Sequence, residues 1–190
     1  SIPPRAHRGE ILLYRDGLLF RDYGDTRISS NDYGDGLKAA VAAMSVGDTL
    51  LVGPGVYNAV DVTMTAARAK AIFNGSVIYK RSGSDYDHLF KSTGDDCVIQ
   101  GLSVDGDAAV NATGTGYGIH ITGDRTRLLD ASAESTRGQT VDSGHGSTVK
   151  IDDCNDVRVE RLYSKDAGYT GLWLNKTPRF TCDGAYVLDT

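Results

Sequence analysis

Methionine and tryptophan are scarce in this chain, with two and one among 190 residues, and no apolar run reaches the roughly 18 residues that a membrane-spanning helix needs. A basic excess is missing too. Against 20 basic residues stand 25 acidic ones, and the formal charge of −5 offers no field for a phosphate backbone, so neither nucleic acid nor a membrane is an expected partner. A neutral glycan is compatible with that balance. Residues 1 to 8 lack the apolar stretch of a secretory signal. The three cysteines, Cys97, Cys154 and Cys182, are odd in number and far apart, which suits neither a disulfide framework nor the close-spaced pairs of a zinc site. They are expected as free thiols, in keeping with synthesis in a reducing compartment, with Cys97 and Cys182 in the core beside Ile99 and Phe180. A phosphate-cradling loop is also lacking, because Gly114, Gly116 and Gly118 lead into a strand and not from a strand into a helix.

Glycine is what the chain has in quantity: 23 residues, scattered among short β-branched runs, indicate an all-β protein with many turns. Residues 1–33 read as an attachment region. Pro3, Pro4, Arg5 and Arg8 mark an extended arm; Ile11 to Tyr14 and Leu18 to Phe20 flank the hairpin signal Asp16-Gly17; and Asp22 to Asp35 is a polar linker. Residues 34–190 read as one folded body. Leu37, Ala40, Val41 and Met44 recur at helical spacing, and Gly47-Asp48 ends that short helix.

An internal repeat explains the rest. Inward residues at positions p, p+2, p+5 and p+7 fit Leu50, Val52, Gly55 and Tyr57, then Lys70, Ile72, Gly75 and Val77 with only the lysine discordant. The template fits again from Cys97, Thr126, Val157 and Phe180. A second series runs between, at Ile119 and Ile121, Val149 and Ile151, and Leu172 and Leu174, and it drifts in step with the first. An irregular β-sandwich would give alternating runs without that matched drift. Periods of about 20 to 31 residues, each with short strands and Gly/Asp turns, are the signature of stacked coils, here a right-handed parallel β-helix capped by the helix. The pattern stops at Val187-Leu188 without a polar cap, so the body is expected to be truncated at its C-terminus.

The helix followed by Gly47-Asp48-Thr49-Leu50-Leu51-Val52-Gly53-Pro54-Gly55-Val56-Tyr57 and then by coils resembles the opening of the pectate-lyase-like right-handed parallel β-helix superfamily. One departure is that Asp35-Gly36-Leu37-Lys38 stands where such chains carry an Asp-Asp-Thr stretch. Within the superfamily the chain is most similar to bacteriophage tailspikes. That resemblance implies a virion receptor-binding protein, a homotrimer in the virion tail that docks to phage tail or adaptor proteins through residues 1–25. It would bind bacterial surface polysaccharide, with or without depolymerising it, and catalytic residues could lie beyond residue 190. The alternative is an extracellular bacterial polysaccharide lyase, glycoside hydrolase or uronate epimerase of the same fold, acting as a monomer.

Stacking turns sequence offsets into neighbourhoods, since equivalent residues on successive coils lie about 5 Å apart. His120, Lys150 and Trp173 then form one outward ladder and Thr122, Asp152 and Asn175 the next. An indole beside an imidazole, an ammonium and an amide makes His120, Lys150, Trp173 and Asn175 candidate glycan-binding residues, the plainer reading being a solvated face. Asp105 and Glu134 fall one coil apart, with Asp107 and Asp166 nearby, and are the candidate acid and nucleophile of a retaining glycosidase. No cofactor is expected, except a Ca²⁺ if the chemistry is that of a lyase, for which Arg127, Arg158 and Arg161 and the acidic group Asp152, Asp153 and Asp156 are the candidates, without the spacing of a strict metal motif. Tyr117, His145 and Tyr169 are placed in loops along one edge.

Overall fold

Two adjacent left-handed residues make a tight hairpin turn, and Asp16 and Gly17 supply them with φ of 50° and 77°. They join β1 (Ile11–Arg15) to β2 (Leu18–Asp22) in the antiparallel hairpin that the sequence predicts. The computed structural model describes residues 6–24, 34–79, 86–107, 116–136 and 146–188. Residues 1–5 of the expected arm and most of the polar linker lie outside these, while the rest of the arm, with Ala6 and Gly9 buried and a turn at residues 8–9, is folded against the body. β1 also pairs antiparallel with Thr49–Val52, and its Ile11 and Leu13 are fully buried, so the hairpin shares one core with the coils. The helix α1 (Gly34–Ala42) buries Leu37, Ala40 and Val41 and packs against β1 and the strands Gly55–Asn58 and Val62–Met64. It covers the apolar end of the first coil, as expected.

Asp48 fastens the hairpin to this end. Its side chain is 1% exposed, yet Arg15 donates from Nε and Nη2 to its carboxylate at 3.1 and 2.9 Å, and the Ser45 N–H donates at 2.8 Å. Burial pushes its pKa up, but the bonds from Arg15 and Ser45 outweigh burial and hold it below the usual carboxylate range.

From Thr49 onward the chain forms three ladders of parallel strands in all-β coils, the arrangement a β-solenoid requires. The first ladder takes Thr49–Val52, Lys70–Phe73, Val98–Gln100, Arg127–Leu129 and the leading halves of Arg158–Lys165 and Thr181–Leu188. The second takes Gly55–Asn58, Ser76–Tyr79, Ser103–Asp105, Ser132–Glu134 and the trailing halves of the same two long strands. The third takes Val62–Met64, His88–Ser92, Tyr117–Ile121, Val149–Asp152 and Leu172–Asn175. Inward columns such as Ile99, Leu128 and Val159 are fully buried, which is the hydrophobic reason for the register.

Two expectations are corrected. In the second coil the inward residues are Ala71, Phe73 and Ile78, not Lys70, Ile72 and Val77: Leu50 stands opposite Ala71, and Ala71 opposite Ile99. The discordant Lys70 marked a frame one residue off, and the first two coils carry a longer first turn than the later ones. Cys182 keeps the register of Val159 but is exposed, because among the described residues no coil stacks on its far side. Cys97 and Cys154 are buried as free thiols.

The turns are stitched as regularly as the strands. Between the third and first ladders one left-handed residue recurs on successive coils: Arg68, Asp96, Arg125, Asp156 and Arg179, with φ between 54° and 58°. Charge alternates along that column. Arg125 bonds Asp96 at 2.6 and 3.0 Å, and Arg179 bonds Asp156 at 2.8 Å. Exposed pairs contribute little singly, but a slip of one coil would set like charges together, so the column defends register.

Candidate functional site

The third ladder alternates inward apolar residues with outward polar ones, and its outward column reads Thr63, Lys91, His120, Lys150, Trp173 in strict register. Asp152 and Asn175 form the neighbouring column, with the Asn175 amide donating to Asp152 at 2.7 Å. The sequence placed His120, Lys150, Trp173 and Asn175 together, and the structure does bring them together. It differs on exposure. A solvated face would leave these side chains in water, whereas His120 and Lys150 are only 6% and 8% exposed.

Burial has made this face a connected polar cluster. Lys150 Nζ lies 3.0 Å from Asp152 Oδ2, donates to the Tyr117 hydroxyl at 3.1 Å and sits 4.6 Å from the centre of that ring. The Tyr117 ring stands 4.9 Å from the His120 ring, and His120 Nε2 is 3.9 Å from Asp152 Oδ2. Burial, and after it the charges of Lys91 and Lys150, push the His120 pKa down to about 4, so the ring is neutral near pH 7. Among the described residues neither ring nitrogen of His120 has a hydrogen-bond partner. One coil earlier, His88 shares a contact with Thr63 Oγ1 at 2.8 Å and with Asp87 at 3.3 Å, and Asp61 accepts the backbone N–H groups of Asp87 and His88. Trp173 continues the face, half-buried, with the Tyr169 ring 5.4 Å away. Chemically the face combines a neutral imidazole whose two nitrogens are buried, two ammonium groups, a phenol and an indole.

Tyr117 belongs to this cluster as the first residue of a strand, not to a loop edge as expected, and Tyr169 lies beside Trp173. His145 falls outside the described residues. Sequence reading missed Thr63, His88 and Lys91. The signal was present, because stepping the second series back by its own interval reaches Phe90 and then Val62, whose outward neighbours are Lys91 and Thr63.

Asp105 and Glu134 are opposite each other in the second ladder, as predicted, between Tyr79 and Lys165. Both are half-buried, and Asp105 Oδ1 accepts the N–H of Asp107 at 2.9 Å. This pair and the His120 cluster sit on different ladders. The arginines weighed for a lyase are engaged elsewhere: Arg127 and Arg158 converge on Glu160 at 3.4 and 2.7 Å, and Arg161 bonds Asp130. Among the described residues no three His, Cys, Asp or Glu side chains are grouped as metal ligands, and no helix is long and apolar enough to cross a membrane.

No protein-family model and no curated protein sequence matches the chain. Two solved structures share its fold. One, from Parabacteroides merdae ATCC 43184 and provisionally named a glycosyl hydrolase, superposes with a TM-score of 0.59 at 10% identity, over 87% of this chain and 92% of that one. The other, ORF18 of Geobacillus virus E2, gives a TM-score of 0.58 at 12% identity, over 95% of this chain and 47% of that one. At such identities the likeness is one of architecture.

Proposed function

We propose that the three ladders are the faces of a right-handed parallel β-helix and that the chain is part of a bacteriophage tailspike, binding bacterial surface polysaccharide along the outer face of its third ladder. The observation that carries this reading is the unbroken outward column Thr63, Lys91, His120, Lys150, Trp173. A solenoid face that merely met water would gain nothing by burying an imidazole and an ammonium there, whereas a face built to hold sugars needs fixed donors, acceptors and an aromatic surface. The right hand follows from the general handedness of parallel crossover connections. Likeness to a viral protein supports association with a virion. A homotrimer in the virion tail, docking to tail or adaptor proteins through residues 1–25, belongs to the same proposal and rests on the resemblance to tailspikes alone. Hydrolysis by Asp105 and Glu134 remains part of the proposal as a separate activity on the second ladder.

The second reading is an extracellular polysaccharide lyase, hydrolase or epimerase, favoured by the likeness to the Parabacteroides protein. Oligomeric state separates the two, a trimer in solution favouring the spike and a monomer the secreted enzyme. Binding to purified bacterial surface polysaccharides tests what they share. Trp173→Ala is expected to weaken binding about tenfold, the scale of one lost aromatic contact, while leaving the melting temperature nearly unchanged. Unaltered affinity in that variant would remove Trp173 from the site, and absence of binding to any surface polysaccharide would overturn the function.

A further inference from the structure

Thr63 and His88 make a contact for which the binding of a glycan has no use. His88 Nε2 lies 2.8 Å from Thr63 Oγ1, and its Nδ1 lies 3.3 Å from Asp87 Oδ2. An imidazole that gives its Nδ1 proton to a carboxylate presents Nε2 as an acceptor, and the Thr63 hydroxyl is the donor beside it. The strand entry that carries the ring is fixed from behind. Asp61, in a left-handed turn with φ of 55°, accepts the backbone N–H groups of Asp87 and His88 at 3.0 and 3.4 Å. The imidazole is sheltered, with its side chain 8% exposed, while Thr63 is only half-buried. Burial holds the His88 pKa below its ordinary value against the pull of Asp87 and Asp61, so near pH 7 the ring is neutral and able to take a proton. Lys91 is the register partner of Thr63 in the same outward column, which sets a cation beside the hydroxyl. Hydroxyl, imidazole and carboxylate linked in that order are what turns an alcohol into a nucleophile, and a neighbouring cation favours the negative oxygen that its attack creates.

We infer that Thr63, His88 and Asp87 form a hydrolytic triad for short acyl esters, with Thr63 as nucleophile and His88 as base. Thr63 Oγ1 attacks the ester carbonyl carbon, its proton passes to His88 Nε2, and the carbonyl electron pair moves onto the oxygen on the Lys91 side. The tetrahedral species then collapses: the bond to the alcohol oxygen breaks, and the alcohol leaves with the proton from His88. Water adds to the acyl-Thr63 ester and gives a proton to His88, and departure of the carboxylic acid returns that proton to Thr63 Oγ1. Water is the only co-reactant. Neighbouring side chains in the column stand about one strand spacing, 4.8 Å, apart, which leaves room at Thr63 for an acetyl group and not for a long acyl chain. This activity is separate from polysaccharide binding and from the Asp105 and Glu134 pair on the second ladder.

The test is hydrolysis of p-nitrophenyl acetate by the full chain, with free imidazole at matched concentration as the reference. The wild type is expected to exceed the reference at least about tenfold, and Thr63→Val and His88→Gln to lose roughly a hundredfold of the rate. Thr63→Ser should keep it. Asp87→Asn should cost only about tenfold, because that carboxylate is exposed and water replaces part of its effect. The rate should rise with pH and reach its plateau below pH 6.5, the ordinary imidazole value. Mass spectrometry of acid-quenched protein should find one acetyl group on Thr63. A wild type no faster than imidazole would overturn the inference, as would a Thr63→Val variant of undiminished rate or acetyl found on a histidine in place of Thr63. Should Thr63→Val fail to fold, Thr63→Ser decides: folded but inactive, it would overturn the triad, since a primary hydroxyl at the same position attacks at least as readily.

Discussion

Gly123→Val is expected to destabilise the protein by about 3 kcal/mol or more, at the upper end of what overpacking does in a close-packed interior. Ala66, Gly94 and Gly123 follow one another on successive coils at the turn out of the third ladder, and there backbone rests directly on backbone. A Cβ built on Gly123 falls inside the van der Waals shell of the Gly94 carbonyl oxygen, and one built on Gly94 does the same to Ala66. The clashing atoms are main-chain atoms held by the ladders on either side, so no side-chain rotation relieves them. Two coils would have to part, breaking the strand pairing that defines the fold. The midpoint of urea unfolding checks this at constant slope. Thr93→Val, at an exposed position on the preceding coil, is the control and should move stability by no more than about 0.5 kcal/mol. A cost below about 1 kcal/mol for Gly123→Val would mean that the turns are not in contact as described.

Acidification supplies the second large effect. Between pH 7 and pH 4 the wild type is expected to lose about 3 kcal/mol that His120→Gln does not lose, as a pKa held at about 4 against an ordinary 6.5 implies. Above pH 6.5 the imidazole is neutral in both folded and unfolded chains and contributes no pH dependence. As pH falls from there towards 4, the unfolded chain takes up a proton that the folded chain refuses, so stability falls with pH. Below 4 the two states are protonated alike and the loss is complete. Burial is the first cause, and the ammonium groups of Lys91 and Lys150 the next, against opposition from Asp152 and Asp87. Burial depresses His88 in the same direction, but its contribution is common to both variants. Asp48, whose pKa is lowered, adds its own loss only as pH falls through the acidic range of its folded carboxyl, again in both. Urea unfolding at pH 7, 5.5 and 4 separates the variants, and parallel losses in both would show that His120 is not buried neutral.

Much of the architecture was readable from residues because a solenoid repeats its physics. Ile99, Leu128 and Val159 recur where an inward column must be apolar, and Asp16-Gly17 marks a hairpin for a stereochemical reason. The frame error at Lys70 was a slip of one residue: the same template started at Ala71 takes in Phe73, Ser76 and Ile78, all buried, and the polar Ser76 at an inward position hid it. Cys182 obeys the template yet lies exposed, because burial depends on having a neighbour on both sides and not on register alone. At the site, the column His120, Lys150, Trp173 followed from offsets. The burial of His120 and Lys150 did not, because outward position predicts exposure only where nothing covers the face. Tyr117 was hidden for a different reason: Gly114, Gly116 and Gly118 around it read as a loop, although it opens the strand that carries His120.

The measurement closest to the central claim is hydrogen exchange of the chain with and without a surface polysaccharide that it binds. The account predicts new protection in the third-ladder strands, at residues 88–92, 117–121, 149–152 and 172–175, with the first and second ladders unchanged. Protection confined to residues 103–105, 132–134 and 158–165 would contradict it and move recognition to the face that carries Asp105 and Glu134.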